Sequence, residues 1–307
     1  MRILDGEQVT RLLPMDECIA AMEEVMASLA RDELFNPLRQ ALRPPGADNL
    51  MGLMTAYRAG ASYALKAVVV APANSARGLD PHQGTVTLFD GVTGIPRAVL
   101  NASAITAIRT AAVSALATRT LMRKDARTLA ILGRGHQGGP HREAHRAVHE
   151  WERIVMWSPS YVEEAATAEE AVREADVVVT VTSAREPILS RSWLKPGTQI
   201  TAAGSSIPTT RELDSQTMAD GSLFVDRRES TINEAGDYLF PMREGLFGPE
   251  HIKAELGEVL IGGHPGRTSD DELTVYKSLG LAVQDLAAAE HVLRRAEAEN
   301  VGTVVPL

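Results

Sequence analysis

Between Arg127 and Asp226 apolar, strand-like runs alternate with polar, helix-like ones, and no other feature limits the possible folds as sharply. TLAILG (128–133) precedes a helical stretch from about Gly138 to Glu150, and RIVMWS (153–158) precedes ATAEEAVREA (166–175). DVVVTVTS (176–183), TQITAAG (198–204) and SLFVD (222–226) then follow, with turn and helix signals between them. A parallel pair needs a long crossover, and its strands bury both faces. The alternation therefore predicts a parallel sheet covered by helices.

The first strand of this region runs straight into LGRGHQGGPH, which sets Gly133, Gly135 and Gly138 in the spacing G-x-G-x-x-G. After a strand and before a helix, the first glycine permits the tight turn. The second lets backbone approach a pyrophosphate, and the third lets helix and strand pack closely with the helix N-terminus facing the negative charge. A dinucleotide cradle is the expected use of this turn, with a merely structural corner as the alternative. The following helix carries His141, His145 and His149 on one face, four residues apart. No glutamate follows the first histidine as in zinc proteases, and no carboxylate or cysteine cluster supports a metal. The stripe is expected to be a partly solvated face, with no metal bound.

The rest of the chain has a different pattern. PMDECIAAMEEVMASLARDE (14–33) puts Met15, Cys18, Ile19, Met22, Val25, Met26 and Leu29 on one helical face. NLMGLMTAY, YALKAVVVAP and GTVTLFD predict a mainly antiparallel sheet, and ASAITAIRTAAVSALATRTLM a helix leading out of it. The stretch from Glu272 to Glu299 predicts one long amphipathic helix, broken near Gly280. The net charge of −9 argues against a nucleic-acid partner. MRILDGEQVT has charges where a signal peptide needs an apolar core, and no apolar run is long enough to span a bilayer. A cytoplasmic protein is expected, with its single cysteine, Cys18, a small buried apolar residue.

Two cations stand where apolar residues belong: Lys66 inside ALKAVVV, and Arg109 inside ITAIRTAAVSALA. A buried, unpaired ammonium costs several kcal/mol or loses its proton, so each requires an anionic partner. For either alone, an internal Asp or Glu serves as well as a ligand. Together they point to a shared carboxylate pocket.

NPLR, HQGTVTLFD, ITAIRTAAVSALATR, GRGHQG, ADVVVTVTSAREPIL, LKPGTQITAAGSS with RELD, and HIKAELGEV with TVYKSLGLAVQDL extend over nearly the whole chain. In these stretches the sequence resembles the ornithine cyclodeaminase and mu-crystallin family, nearer the ketimine reductase branch. The resemblance implies an α/β protein made of two domains. One is an α+β substrate and dimerisation domain, residues 1–120 with 284–307. The other is a Rossmann-type parallel-sheet domain, residues 121–283, binding NAD(H) or NADP(H). It implies that Arg39, Lys66 and Arg109 hold a substrate carboxylate, with Lys66 near the reacting nitrogen. From the residues alone Arg43 is as good a choice as Arg39. By the same resemblance Thr110, Gly133, Gly135, His136, Gln137, Gly138, Ser158, Thr182 and Ser183 contact the coenzyme, and the partner is a second copy of the chain.

The sequence departs from the family in two places. Where cyclodeaminases carry a proton-handling aspartate, this chain has Ser206, which cannot serve as a carboxylate base near neutral pH. This favours reduction of a cyclic imine or imino acid, or an amino-acid dehydrogenase, over an ammonia-eliminating lyase. After RIVMWS, the chain runs SPSYVEEAATAEEAVREADVVV, one helix short of a Rossmann unit. The third strand is expected to be lost or reoriented, because too few residues remain for a parallel crossover. Ser158 and Ser160 offer neither an acid for a ribose diol nor a guanidinium for a 2′-phosphate. Weakened coenzyme binding with little discrimination is the expectation, and a ligand-binding homologue without turnover is the second alternative.

Overall fold

The computed structural model describes residues 1–306. The chain forms two compact units, Met1–Arg109 with Leu281–Leu307, and Thr110–Gly280.

The first unit opens with β1 (Arg2–Leu4), α1 (Gly6–Leu12) and α2 (Met15–Ala30), followed by β2 (Leu34–Phe35), β3 (Gln40–Leu42), β4 (Leu50–Arg58), β5 (Ser62–Val70), β6 (His82–Asp90) and β7 (Pro96–Asn101). The predicted apolar stripe of α2 is buried throughout, and burial of Cys18 pushes its thiol up to about 12. β4 to β7 form an antiparallel meander, as their alternating pattern predicts. α3 (Ala102–Leu121) then leads away from the sheet.

In the second unit β8 (Thr128–Leu132) is followed by α4 (Gly138–Val148), β9 (Arg153–Trp157), α5 (Ala168–Val172), β10 (Val177–Thr180), β11 (Gln199–Ala202), α6 (Ser215–Asp220) and β12 (Ser222–Val225). Then come α7 (Arg228–Glu234), α8 (Gly236–Arg243), β13 (Ile252–Glu255), α9 (Leu256–Leu260) and β14 (Thr274–Lys277). The sheet order is β13-β12-β14-β11-β10-β8-β9, every pair parallel. The predicted helix of residues 166–175 is shorter, held to Ala168–Val172 with Thr167 as its N-cap.

The chain returns to the first unit through α10 (Ala282–Ala298) and β15 (Thr303–Val304). This completes a sheet ordered β15-β1-β7-β6-β5-β4-β2, with β3 also on β4. α10 packs on α2 and on β4, β5 and β6.

The long helix expected over residues 272–299 is corrected. Thr274–Lys277 is a fully buried strand between β12 and β11, and the helix begins only at Ala282. TVYK is a short apolar run whose periodicity does not separate strand from helix, and Gly280, at φ +79°, turns the chain between the two elements.

The shortening after β9 takes the expected form. Ser158 to Tyr161 closes as a tight antiparallel bridge, no helix lies between RIVMWS and Ala168, and β9 is the edge of the sheet. Its edge is partly satisfied by a side chain, since the Met156 N–H donates to Glu164 Oε2 at 2.7 Å.

Candidate active site

Lys66 lies mid-way along β5, opposite Met54 on β4 and Val86 on β6, and is only 4% exposed. Strand alternation sets it on the same face as buried Ala64. Its Nζ donates to Asp285 Oδ1 of α10 at 3.1 Å, and Arg109 Nε of α3 donates to the same oxygen at 3.0 Å. Arg109 Nη1 also donates to Gln284 Oε1 at 2.9 Å. An internal carboxylate therefore partners both cations, yet one anion between two cations leaves a positive excess. Asp285 Oδ2 is buried with no hydrogen-bond partner among the described residues.

Burial lowers the Lys66 ammonium to about 8; Asp285 opposes this shift, while Arg109 and Arg39 add to it. Arg39, half-buried in the loop after β2, is thus close enough to act on Lys66 electrostatically, whereas Arg43 is exposed. The loop is tied to α10, because the Val283 N–H donates to Asn36 Oδ1 at 3.0 Å.

In the second unit the glycine turn fits a pyrophosphate by its steric pattern. Gly133 has φ +123°, and a Cβ there would meet the Val181 carbonyl oxygen at 2.6 Å. A Cβ on Gly138 would meet the Gly133 carbonyl oxygen at 2.6 Å, whereas one on Gly135 would meet open space. The first and third glycines are therefore required by the fold, and the second faces outward where a ligand can approach. Gln137 is the N-cap residue of α4 without a side-chain cap bond, and among the described residues neither its buried Oε1 nor Thr110 Oγ1 has a hydrogen-bond partner. His136 is exposed beside them, and Ser158 is buried at the end of β9.

Thr182 and Ser183 follow β10, and Ser206 follows β11, so all three lie beyond the carboxyl ends of adjacent parallel strands, where open α/β sheets bind ligands. Glu212, absent from the sequence-based expectations, links the two loops. It accepts from Thr182 N at 2.7 Å, Thr182 Oγ1 and Thr180 Oγ1 at 2.8 Å, Gly204 N at 2.8 Å and Ser205 N at 3.3 Å. The Thr182 hydroxyl is thereby held by the protein itself. Burial raises the Glu212 carboxyl, against the field of Lys277. Lys277, fully buried at the end of β14, pairs with Asp237 at 2.9 Å and donates to the Ser205 carbonyl at 2.6 Å. Asp285 carried a usable sequence signal, as the only charge in LAVQDLAAA; Glu212 in RELD did not.

The histidine stripe is not a solvated face. His141 and His145 are fully buried, and burial pushes them down to about 3 and about 4. Each Nδ1 faces a carbonyl, that of Gln137 at 2.9 Å and of His141 at 2.7 Å. Each Nε2 faces a hydroxyl, of Ser114 and of Thr118, both at 3.1 Å. Such partners fit neutral rings protonated on Nδ1. Among the described residues no group of three or more His, Cys, Asp or Glu is placed to hold a metal ion. No helix among them is long and apolar enough to cross a membrane.

A parallel sheet with a glycine-turn cradle in one unit, and buried cations on one carboxylate in the other, define a two-unit nucleotide-binding α/β protein. The chain belongs to the ornithine cyclodeaminase/mu-crystallin family, whose profile matches residues 2–300. It is 35% identical to a Delta(1)-pyrroline-2-carboxylate reductase of Bacillus cereus over 98% of each chain. It is 37% identical to the mouse ketimine reductase mu-crystallin over 89% of this chain and 90% of that one. The structure of Thermococcus litoralis Delta(1)-pyrroline-2-carboxylate reductase in complex with NADH and L-proline superposes with a TM-score of 0.95 at 31% identity, covering 99% of this chain and all of that one.

Proposed function

We propose that this protein is an NAD(P)H-dependent reductase of a small cyclic imino acid of the Delta(1)-pyrroline-2-carboxylate type. The observation that carries this reading is the pair Lys66 and Arg109 on a single oxygen of buried Asp285. Two cations sharing one internal anion retain the capacity to hold a ligand carboxylate. Arg109 and Arg39 take that carboxylate. Lys66, lowered to about 8, is poised to donate a proton to the imine nitrogen, since a general acid works best with its pKa near the operating pH. Asp285 holds Lys66 and Arg109 in register and keeps Lys66 largely protonated at neutral pH.

NADH or NADPH, held by Gly133, Gly135 and Gly138 with Thr110, His136, Gln137, Ser158, Thr182 and Ser183, supplies the hydride when bound. Ser206 orients the substrate amine or a water molecule. As a hydroxyl it is no base near neutral pH, which favours reduction over ammonia elimination. The reading includes a homodimer, drawn from the family resemblance, and a cytoplasmic location, where reduced nicotinamide is supplied. Steady-state assays with Delta(1)-pyrroline-2-carboxylate test it: loss of nicotinamide absorbance with formation of proline is expected. A protein that binds the imino acid without consuming either coenzyme would be a ligand-binding homologue instead.

A further inference from the structure

The residue between the first two glycines of the turn carries a guanidinium that the mechanism above does not use. β8 and β9 pair in register from Thr128 with Arg153 to Leu132 with Trp157, and the Gly133 N–H donates to the Trp157 carbonyl at 2.8 Å. Arg134 and Ser158 therefore leave the sheet side by side, at the carboxyl end of the strand pair where a Rossmann domain takes its adenosine ribose. The Arg134 guanidinium carbon lies 3.3 Å from the centroid of the Tyr161 ring. Tyr161 is fixed by two backbone hydrogen bonds to Ser158, and the Ser158 and Ser160 hydroxyls are 3.3 Å apart.

The shortened segment thus brings a stacked guanidinium and two hydroxyls to one place. Stacking fixes the plane of the guanidinium and leaves its N–H donors at the rim, the geometry that suits bidentate contact with phosphate. Two carboxylates stand nearby and neither takes the charge. Glu164 accepts from Met156 N at 2.7 Å and from the Tyr161 hydroxyl at 3.3 Å, and Glu163 hydrogen-bonds the Tyr161 side chain. Among the described residues Arg134 makes no ion pair. No acid ends β9 to receive a ribose diol, since Trp157 is followed by Ser158, Pro159 and Ser160.

We propose that Arg134, stacked on Tyr161 beside Ser158 and Ser160, is the seat of a 2′-phosphate, and that this protein takes NADP(H) in preference to NAD(H). This differs from the sequence-based expectation of little discrimination, because the guanidinium comes before β9, at Arg134, and not from the residues after it. The inference rests on the coenzyme-binding reading and adds the coenzyme's identity.

Calorimetric titration of the whole protein with NADPH, NADH and 2′,5′-ADP tests it without requiring turnover. NADPH is expected to bind at least about 10-fold more tightly than NADH, as one charge-assisted phosphate contact implies. Arg134→Gln should remove that advantage and the binding of 2′,5′-ADP, leaving NADH affinity within about 2-fold. Tyr161→Leu, which keeps the charge and removes its platform, should give an intermediate loss. Equal or reversed preference in the wild-type protein, equal loss of both coenzymes in Arg134→Gln, or binding of none of the three probes overturns the proposal. Imine reduction that runs on NADH and is indifferent to Arg134→Gln would overturn the phosphate seat alone. NADPH binding through Arg134 in a protein that reduces no imine would overturn the reductase reading alone.

Discussion

Lys66 Nζ and Arg109 Nε meet on the same oxygen of Asp285, at 3.1 and 3.0 Å, although strand β5 and helix α3 bring them from distant parts of the sequence. Asp285→Asn should keep the shape of this junction and remove the negative charge that both cations share. Lys66 then loses the field that opposes its desolvation, so its pKa falls below about 8. If protonated Lys66 is the proton donor, the alkaline limb of kcat/KM lies near 8 in the wild-type protein and moves to lower pH in the variant. A limb that stays in place would separate Lys66 from the titration. Uncompensated burial of two cations should also cost about 3–5 kcal/mol in denaturant unfolding.

Replacement of Lys66 or Arg109 by Met should weaken binding of a carboxylate ligand by about 2–5 kcal/mol, roughly 30-fold or more, with native circular dichroism. Arg39→Met is expected to behave likewise. Unchanged ligand affinity in both Lys66→Met and Arg109→Met would contradict the assignment of the pocket.

The buried histidines predict an acid-sensitive fold. His141 and His145 have folded-state values of about 3 and about 4 against 6.5 when unfolded, so the unfolded chain binds more protons below pH 6.5. Their contribution is fully present above that pH and is lost as pH falls toward 4, by up to about 1.4 kcal/mol per histidine per pH unit. Urea unfolding at pH 7, 6 and 5 should show a steeper fall in the wild-type protein than in His145→Gln. Parallel curves would contradict the link.

Glu212→Gln sets an amide NH2 against backbone and hydroxyl donors that now meet a carboxylate. A loss of at least about 2–3 kcal/mol in unfolding free energy is expected. Because the loops after β10 and β11 are both held by this side chain, coenzyme affinity should fall as well, while binding of a carboxylate ligand alone should not. Thermal melting with and without coenzyme, beside ligand titration, checks both parts.

The sequence made some of this architecture legible and hid the rest for identifiable reasons. Alternation gave the parallel sheet, and steric demand at Gly133 and Gly138 agrees with the turn inferred from spacing. The loss of the third parallel strand was legible because a crossover has a minimum length. TVYK was misassigned because four buried residues carry no period, and the histidine stripe because spacing marks a face without saying what covers it. Lys66 and Arg109 stand out as charges in apolar surroundings, a signal Asp285 also carries, while Glu212 becomes meaningful only once distant segments meet.

The most direct test sets two substrates against each other with one preparation of the protein. Delta(1)-pyrroline-2-carboxylate is supplied with NADPH or NADH, and L-ornithine with NAD⁺ or NADP⁺, with nicotinamide absorbance, proline and ammonia followed in each. The proposed chemistry predicts coenzyme oxidation matched mole for mole by proline in the first reaction, and little or no ammonia in the second. Robust proline and ammonia from ornithine, with no net change in nicotinamide absorbance and no reduction of the imine, would contradict it.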